Sequence, residues 1–202
     1  MNSSPEGSTE EGRKEDILAA VLKIASTEGF DKVTVRKVAA LAGVSHGLVT
    51  YHYATKERLI LEAWWSLLEH ESRRRDETIG RTTALQRIEE GFRLSLTDPK
   101  AEMQAKLRLD FLIKTARTPG LLESYIKRAS KGRPRRVEGL RMSVASGELD
   151  GTLDIELTED LIEVVRYGIS LWTVLNEDES SEERAFEITK FFLSLLRPSA
   201  PS

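Results

Sequence analysis

The chain has 202 residues, 40% hydrophobic and 31% charged, a globular composition that excludes a wholly disordered or fibrous protein. It has no cysteine, which excludes disulfide frameworks, thiolate zinc sites, iron-sulfur clusters and cysteine nucleophiles. Charged residues interrupt every apolar run before the roughly 18 residues a membrane span needs. Met1 to Glu6 has neither the basic nor the apolar region of a secretory signal, so a soluble, cytoplasmic protein is expected.

The formal net charge of -3 conceals a division along the chain. Residues 13–58 carry eight basic groups against five acidic ones, whereas the segments on either side are acidic. A basic stretch on an acidic protein fits local contact with phosphate.

Residues 1–12 are nearly free of apolar side chains and are expected to form a mobile tail. From Arg13, the residues Ile17, Leu18, Val21, Leu22 and Ala25 recur at helical spacing until Gly29-Phe30. Thr34 caps a second helix through Ala42, ended by Gly43. Ser45 caps a short third helix to about Tyr51, and Thr55 caps a fourth carrying Leu59, Ile60, Ala63, Trp64, Leu67 and Leu68. Further amphipathic patterns surround Leu85 to Phe92, Met103 to Phe111 and Leu121 to Ile126. Breaks are expected at Pro99, Pro119 and Lys131-Gly132-Arg133-Pro134, and a turn-rich connector at Gly147 to Asp154. The segment from Leu161 to Leu175 is apolar on most faces and is followed by Phe186, Ile188, Phe191, Phe192, Leu195 and Leu196. With no strand alternation, the class is all-α: an N-terminal three-helix domain at 13–58 and a helical bundle at 59–202, about nine helices in total.

Thr34 to Leu59 reads TVRKVAALAGVSHGLVTYHYATKERL. Its two short helices are joined at Gly43-Val44 by a turn too tight for antiparallel packing, so they cross steeply as a helix-turn-helix. Ala39 permits close approach, and Val44, Val49 and Tyr53 plug the space between them. The second of the pair then projects toward a groove, where a helix fits the major groove of DNA. Gly47 lets its backbone approach closely.

This stretch resembles the signature of the TetR family of bacterial transcription regulators, T-V-R-x-[VIL]-A-x-x-A-G-V-S-x-G-x-[LV]-x-Y-H-[FY]-x-[ST]-K-E-x-L. The C-terminal half is similar to the choline-sensing BetI-type members in Gly147-Glu148-Leu149 and in the Leu161 to Leu175 helix. The resemblance implies a homodimeric repressor that binds a palindromic double-stranded DNA operator and is released by a small-molecule effector. Carried over residue by residue, it sets Arg36, His46, Leu48 and Thr50 toward base edges, and Ser45, Tyr51, His52 and Lys56 toward phosphates. Thr34 and Gly47 belong to the same interface. His46 stands where many members have a longer polar residue, and Thr50 where tyrosine is common, so the operator cannot be copied from a relative.

In the C-terminal half an effector cavity is expected between the helices of Leu85, Met103 to Lys114, and Leu161. Its candidate lining is Trp64, Phe92, Met103, Leu107, Asp110, Phe111, Tyr125, Tyr167 and Trp172. Asp110 would attract a cationic ligand toward aromatic walls; the alternative is an ion pair with Lys114 or Lys106. Excess apolar surface on the last two helices predicts a four-helix dimer interface that includes Ile169 and Phe192. Arg73-Arg74-Arg75 reads as a solvated or salt-bridged face, with DNA contact as the alternative. No cofactor and no metal are expected: His46 and His52 do not converge, and His70 has no second histidine one turn away. An all-α enzyme or helical adaptor that retains the helix-turn-helix as scaffold is the competing function. No nucleophile-base pair or phosphate loop supports the enzyme.

Overall fold

In the computed structural model, which describes residues 9–79, 83–98, 100–176 and 179–198, nine α-helices and one 3-10 turn form the regular structure of those residues. No strand occurs among them, in agreement with the all-α class. The helices are α1 (Glu10–Glu28), α2 (Val35–Ala42), α3 (His46–His52), α4 (Lys56–Ile79), α5 (Ala84–Thr97), α6 (Ala101–Ala116), α7 (Pro119–Ala145), α8 (Ile155–Leu175) and α9 (Glu179–Leu195), with the 3-10 turn at Phe30–Lys32.

The helix starts follow the local chemistry of the sequence. Thr34 Oγ1 accepts the Lys37 N–H at 3.3 Å, Ser45 Oγ that of Leu48 at 3.1 Å, and Thr55 Oγ1 that of Arg58 at 3.1 Å. Each satisfies a donor that the first helical turn leaves unpaired, a contribution of about 1 kcal/mol. Two boundaries differ from expectation. The first helix starts at Glu10 rather than Arg13, because Thr9 caps it through the Gly12 N–H and Glu10 and Glu11 favour its positive end. Residues 1–8 of the expected tail lie outside the described residues, as does Pro99. The break expected at Lys131 to Pro134 does not occur, and Pro134 lies inside α7. Proline removes one backbone donor there, while Arg133 and Arg136 tie the helix to Glu159 of α8 at 3.1 and 2.6 Å.

Two apolar cores follow. The first joins α1 to α4 through Ile17, Val21, Phe30, Val38, Val49, Ile60 and Trp64, and takes in Leu107 and Phe111 of α6 and Leu121 of α7. Packing therefore does not divide at residue 58: α4 and the end of α6 belong to the core that supports the helix-turn-helix. The second core unites α5, α7, α8 and α9 around Leu85, Phe92, Leu140, Ile162, Ile169 and Phe192. Helix α6 packs along α8 and also reaches α1 and the 3-10 turn, so it links the first core to a helix of the second. Among the described residues no helix is long and apolar enough to cross a membrane.

Candidate functional site

Gly43 ends α2 in the left-handed conformation (φ 66°, ψ 27°), and the Val44 N–H returns to Ala39 O at 3.0 Å. That geometry favours glycine and turns the chain sharply into α3. Val38 and Val49 are fully buried between the two helices and Tyr53 is buried beside them, so α3 is fixed by its inner face. Burial pushes the Tyr53 phenol above its ordinary range.

The outer face of α3 carries His46, Gly47, Thr50 and Tyr51, all exposed, with Tyr51 at 81%. Among the described residues a side chain on Gly47 would meet only Ser45 Oγ, at 3.9 Å, so none of them demands glycine there. Thr50 donates its hydroxyl to His46 O and Gly47 O at 3.2 and 3.0 Å, which commits the hydroxyl to the helix. Arg36 is exposed at the start of α2, and Leu48 is half-buried. Thr34 and Ser45 are exposed but serve as caps.

Two residues assigned to phosphate also make contacts within the protein. His52 is half-buried, its Nε2 is shielded from solvent without a hydrogen-bond partner, and its ring packs edge-on to Tyr51 at 5.1 Å. Tyr51 is thus the outward member of the pair. Lys56 Nζ donates to Asp31 O at 3.1 Å, bracing the 3-10 turn. Burial, and then the neighbouring Lys114 charge, lower the Lys56 ammonium below the usual lysine range.

The expected aromatic cavity wall is a packed joint. Trp64 stacks on Phe111 with centroids 4.2 Å apart, Trp65 stacks on Tyr125 at 5.9 Å, and Phe111 meets Tyr125 edge-on at 5.7 Å. Arg108 and Arg128 lie over Trp64 and Trp65 at 5.8 and 5.0 Å. The Tyr125 hydroxyl pairs with that of Tyr167 at 3.2 Å, and burial pushes the Tyr125 phenol up. Leu107 is buried in the same core, whereas Met103 and Trp172 are partly exposed. Asp110 fits neither a cation-attracting role nor a lysine pair. It accepts the Phe30 N–H at 2.6 Å, while Lys114 pairs with Asp31 and Lys106 with Glu102. Arg74 is paired with Asp98 at 2.9 Å, and the Arg75 side chain lies outside the described residues.

A cavity of about 860 Å³ opens instead between α5, α7 and α8. Its walls are Ala84, Arg87, Ile88, Gly91 and Phe92 of α5; Gly132, Arg135, Arg136, Gly139, Leu140 and Ser143 of α7; and Glu159, Ile162, Glu163 and Arg166 of α8. On each helix these positions recur at i, i+3, i+4 and i+7, which marks one face. Of the expected ligand residues only Phe92 lines it, and α6 contributes no wall. Its mixed charges read as solvated faces; glycines inside helical patterns, at 91, 132 and 139, were the available signal. The size suits a small organic molecule. No group of three or more metal-ligating side chains that could hold an ion occurs among the described residues.

Ile169 and Phe192, expected in a dimer interface, are 5% and 6% exposed and face the chain's own core, Phe192 against Phe92 at 6.0 Å. The outward apolar residues of α8 and α9 are their neighbours: Leu161, Val164, Leu171 and Leu175, with Phe186, Phe191 and Leu195. They make an apolar face that the described residues leave uncovered.

Residues 17–63 match the family model for bacterial regulatory proteins, tetR family. A search of curated proteins returned no match. Solved structures similar over nearly the whole chain include a Rhodococcus sp. protein assigned to the TetR family of transcriptional regulators, at 20% identity and a TM-score of 0.77, covering 90% of this chain and 98% of that one. A TetR transcription regulator from Haloarcula marismortui aligns at 16% identity and a TM-score of 0.72, covering 92% and 98%. A Saccharomonospora viridis protein assigned as a transcriptional regulator and crystallised with choline aligns at 16% identity and a TM-score of 0.71, covering 92% and 97%. Residues 17–63 are thus a helix-turn-helix domain of the TetR family, and the helical body behind them has the fold of that family's regulators.

Proposed function

We propose that the protein is a repressor that binds a palindromic DNA operator as a homodimer and is released by a small-molecule effector. The observation that carries this reading is the outer face of α3: Tyr51, Thr50, His46 and Gly47 lie on a helix whose inner face is locked by Val49, and nothing among the described residues covers them. Two such helices, about 34 to 36 Å apart or a multiple of it, match successive major grooves of an inverted repeat. The uncovered apolar face of α8 and α9 supports self-association, and the cavity between α5, α7 and α8 supports an effector site.

Selection of bound sequences from a random duplex pool, followed by footprinting, tests the reading. An inverted repeat protected in two half-sites is the expected result; recovery of no preferred sequence counts against it. Compounds that stabilise the protein thermally and also weaken operator binding identify the effector.

A further inference from the structure

We propose that the effector is an amphipathic organic anion, a carboxylate on an apolar body, and not a quaternary ammonium cation. This deepens the reading of the α5, α7 and α8 cavity as the effector site and rests on it.

The charge of the wall is the first observation. Four guanidinium groups line the cavity, from Arg87, Arg135, Arg136 and Arg166, against the carboxylates of Glu138, Glu159 and Glu163. The acidic charge facing inward is already matched. Glu159, 5% exposed at its side chain, takes Arg136 at 2.6 Å and Arg133 at 3.1 Å, and Glu163 takes Arg166 at 3.4 Å. Glu138 is exposed. Arg135 has no carboxylate partner among the described residues and is itself exposed, so it stands where the cavity opens to solvent. Arginine at such a place offers a planar, permanently charged fork that fits a carboxylate. Behind it Ile88, Phe92, Leu140 and Ile162 supply an apolar wall.

The second observation is the position of the aromatic rings. Recognition of a quaternary ammonium depends on aromatic faces within about 6 Å of the charge. Among the described residues lining the cavity only Phe92 is aromatic, and its ring is engaged by Phe192. Trp64, Trp65 and Tyr125 lie in the joint of α4, α6 and α7, with faces occupied by one another, by Phe111 and by Arg108 and Arg128, and Trp172 does not line the cavity. A cation would enter a net basic cavity with no aromatic cage to hold it.

Titration calorimetry of the full chain with three probes of one chain length tests this: decanoate, decan-1-ol and decyltrimethylammonium. Decanoate is expected to bind at least about tenfold more tightly than either of the others, by virtue of the charged contact. Arg135→Gln, an exposed position whose replacement leaves the fold intact, should weaken decanoate by roughly fivefold to tenfold and leave decanol unchanged. Ile88→Trp, at a half-buried wall position, should weaken whatever binds in the cavity. Equal or tighter binding of the ammonium, no binding of decanoate, or an Arg135→Gln variant with unaltered preference overturns the anion proposal. If decanoate binding survives Ile88→Trp in a folded protein, the fault lies instead with the cavity as the effector site.

Discussion

The carboxylate of Asp110 on α6 accepts a hydrogen bond of 2.6 Å from the backbone N–H of Phe30, eighty residues earlier. Beside it Gly29 has φ 88°, a region that disfavours side chains, and a Cβ there would lie 3.3 Å from Asp110 Oδ2. Phe30 is fully buried and meets Phe111 edge-on at 5.6 Å. The end of α6 thus grips the turn that follows α1. Asp110→Ala should cost about 1–3 kcal/mol, the penalty for stranding a buried donor. Gly29→Ala should cost more than about 1 kcal/mol through backbone strain. In urea titrations the two losses should not add, because the alanine methyl displaces the same carboxylate. Strict additivity would show that the two residues are independent.

The Thr50 hydroxyl is bonded within α3, which leaves its methyl group for the base contact proposed for this residue. Thr50→Val should therefore retain operator affinity, whereas Thr50→Ser and Arg36→Ala should each lose about 1 to 3 kcal/mol per half-site on the operator and little on random DNA. Binding isotherms on both duplexes decide it, and a Thr50→Ser variant better than Thr50→Val would mean that the hydroxyl reads the base.

Lys56 braces the Asp31 carbonyl. Lys56→Met should lower stability and leave the salt dependence of DNA binding nearly unchanged. A drop of about one in the slope of log K against log salt would assign Lys56 to a phosphate.

Adjacent phenylalanines on α9 separate association from folding: Phe191 is 66% exposed and Phe192 is 6% exposed. Phe191→Glu is expected to give a folded monomer by light scattering and circular dichroism, and Phe192→Glu an unfolded or insoluble chain, because only the second buries a charge in the protomer. A dimeric Phe191→Glu variant would move the interface off this face.

Acid should loosen two carboxylate contacts. The Lys100 N–H at 2.8 Å and the Arg74 guanidinium hold Asp98 below the usual carboxylate range against the opposing effect of burial, and the Lys114 ammonium does the same for Asp31. Since each folded value lies below the unfolded value of about 3.9, the stabilisation is complete above that pH and is lost as pH falls through the folded values. Asp98→Asn should be less stable than the unaltered chain at pH 6, with the difference shrinking toward pH 2.5. A constant difference across urea titrations over this range would show that Asp98 contributes nothing through its charge.

The sequence alone determined the elements whose causes are local. Thr34, Ser45 and Thr55 cap donors three residues away, and Gly43 supplies the left-handed turn, so the helix-turn-helix and its exposed face could be read from adjacent residues. Tertiary structure decided what depends on distant partners. The bond from the Phe30 N–H to Asp110 and that from Lys56 to the Asp31 carbonyl span 80 and 25 residues, so neighbouring residues do not announce either. A helix apolar on most sides does not declare which side is internal, so Ile169 and Phe192 could not be distinguished from Leu171 and Phe191. Aromatic rings at helical spacing fill a joint or line a void equally well by sequence. Only the packing of α6 against α1 and α4 filled the first space, and only the faces of α5, α7 and α8 left the second open.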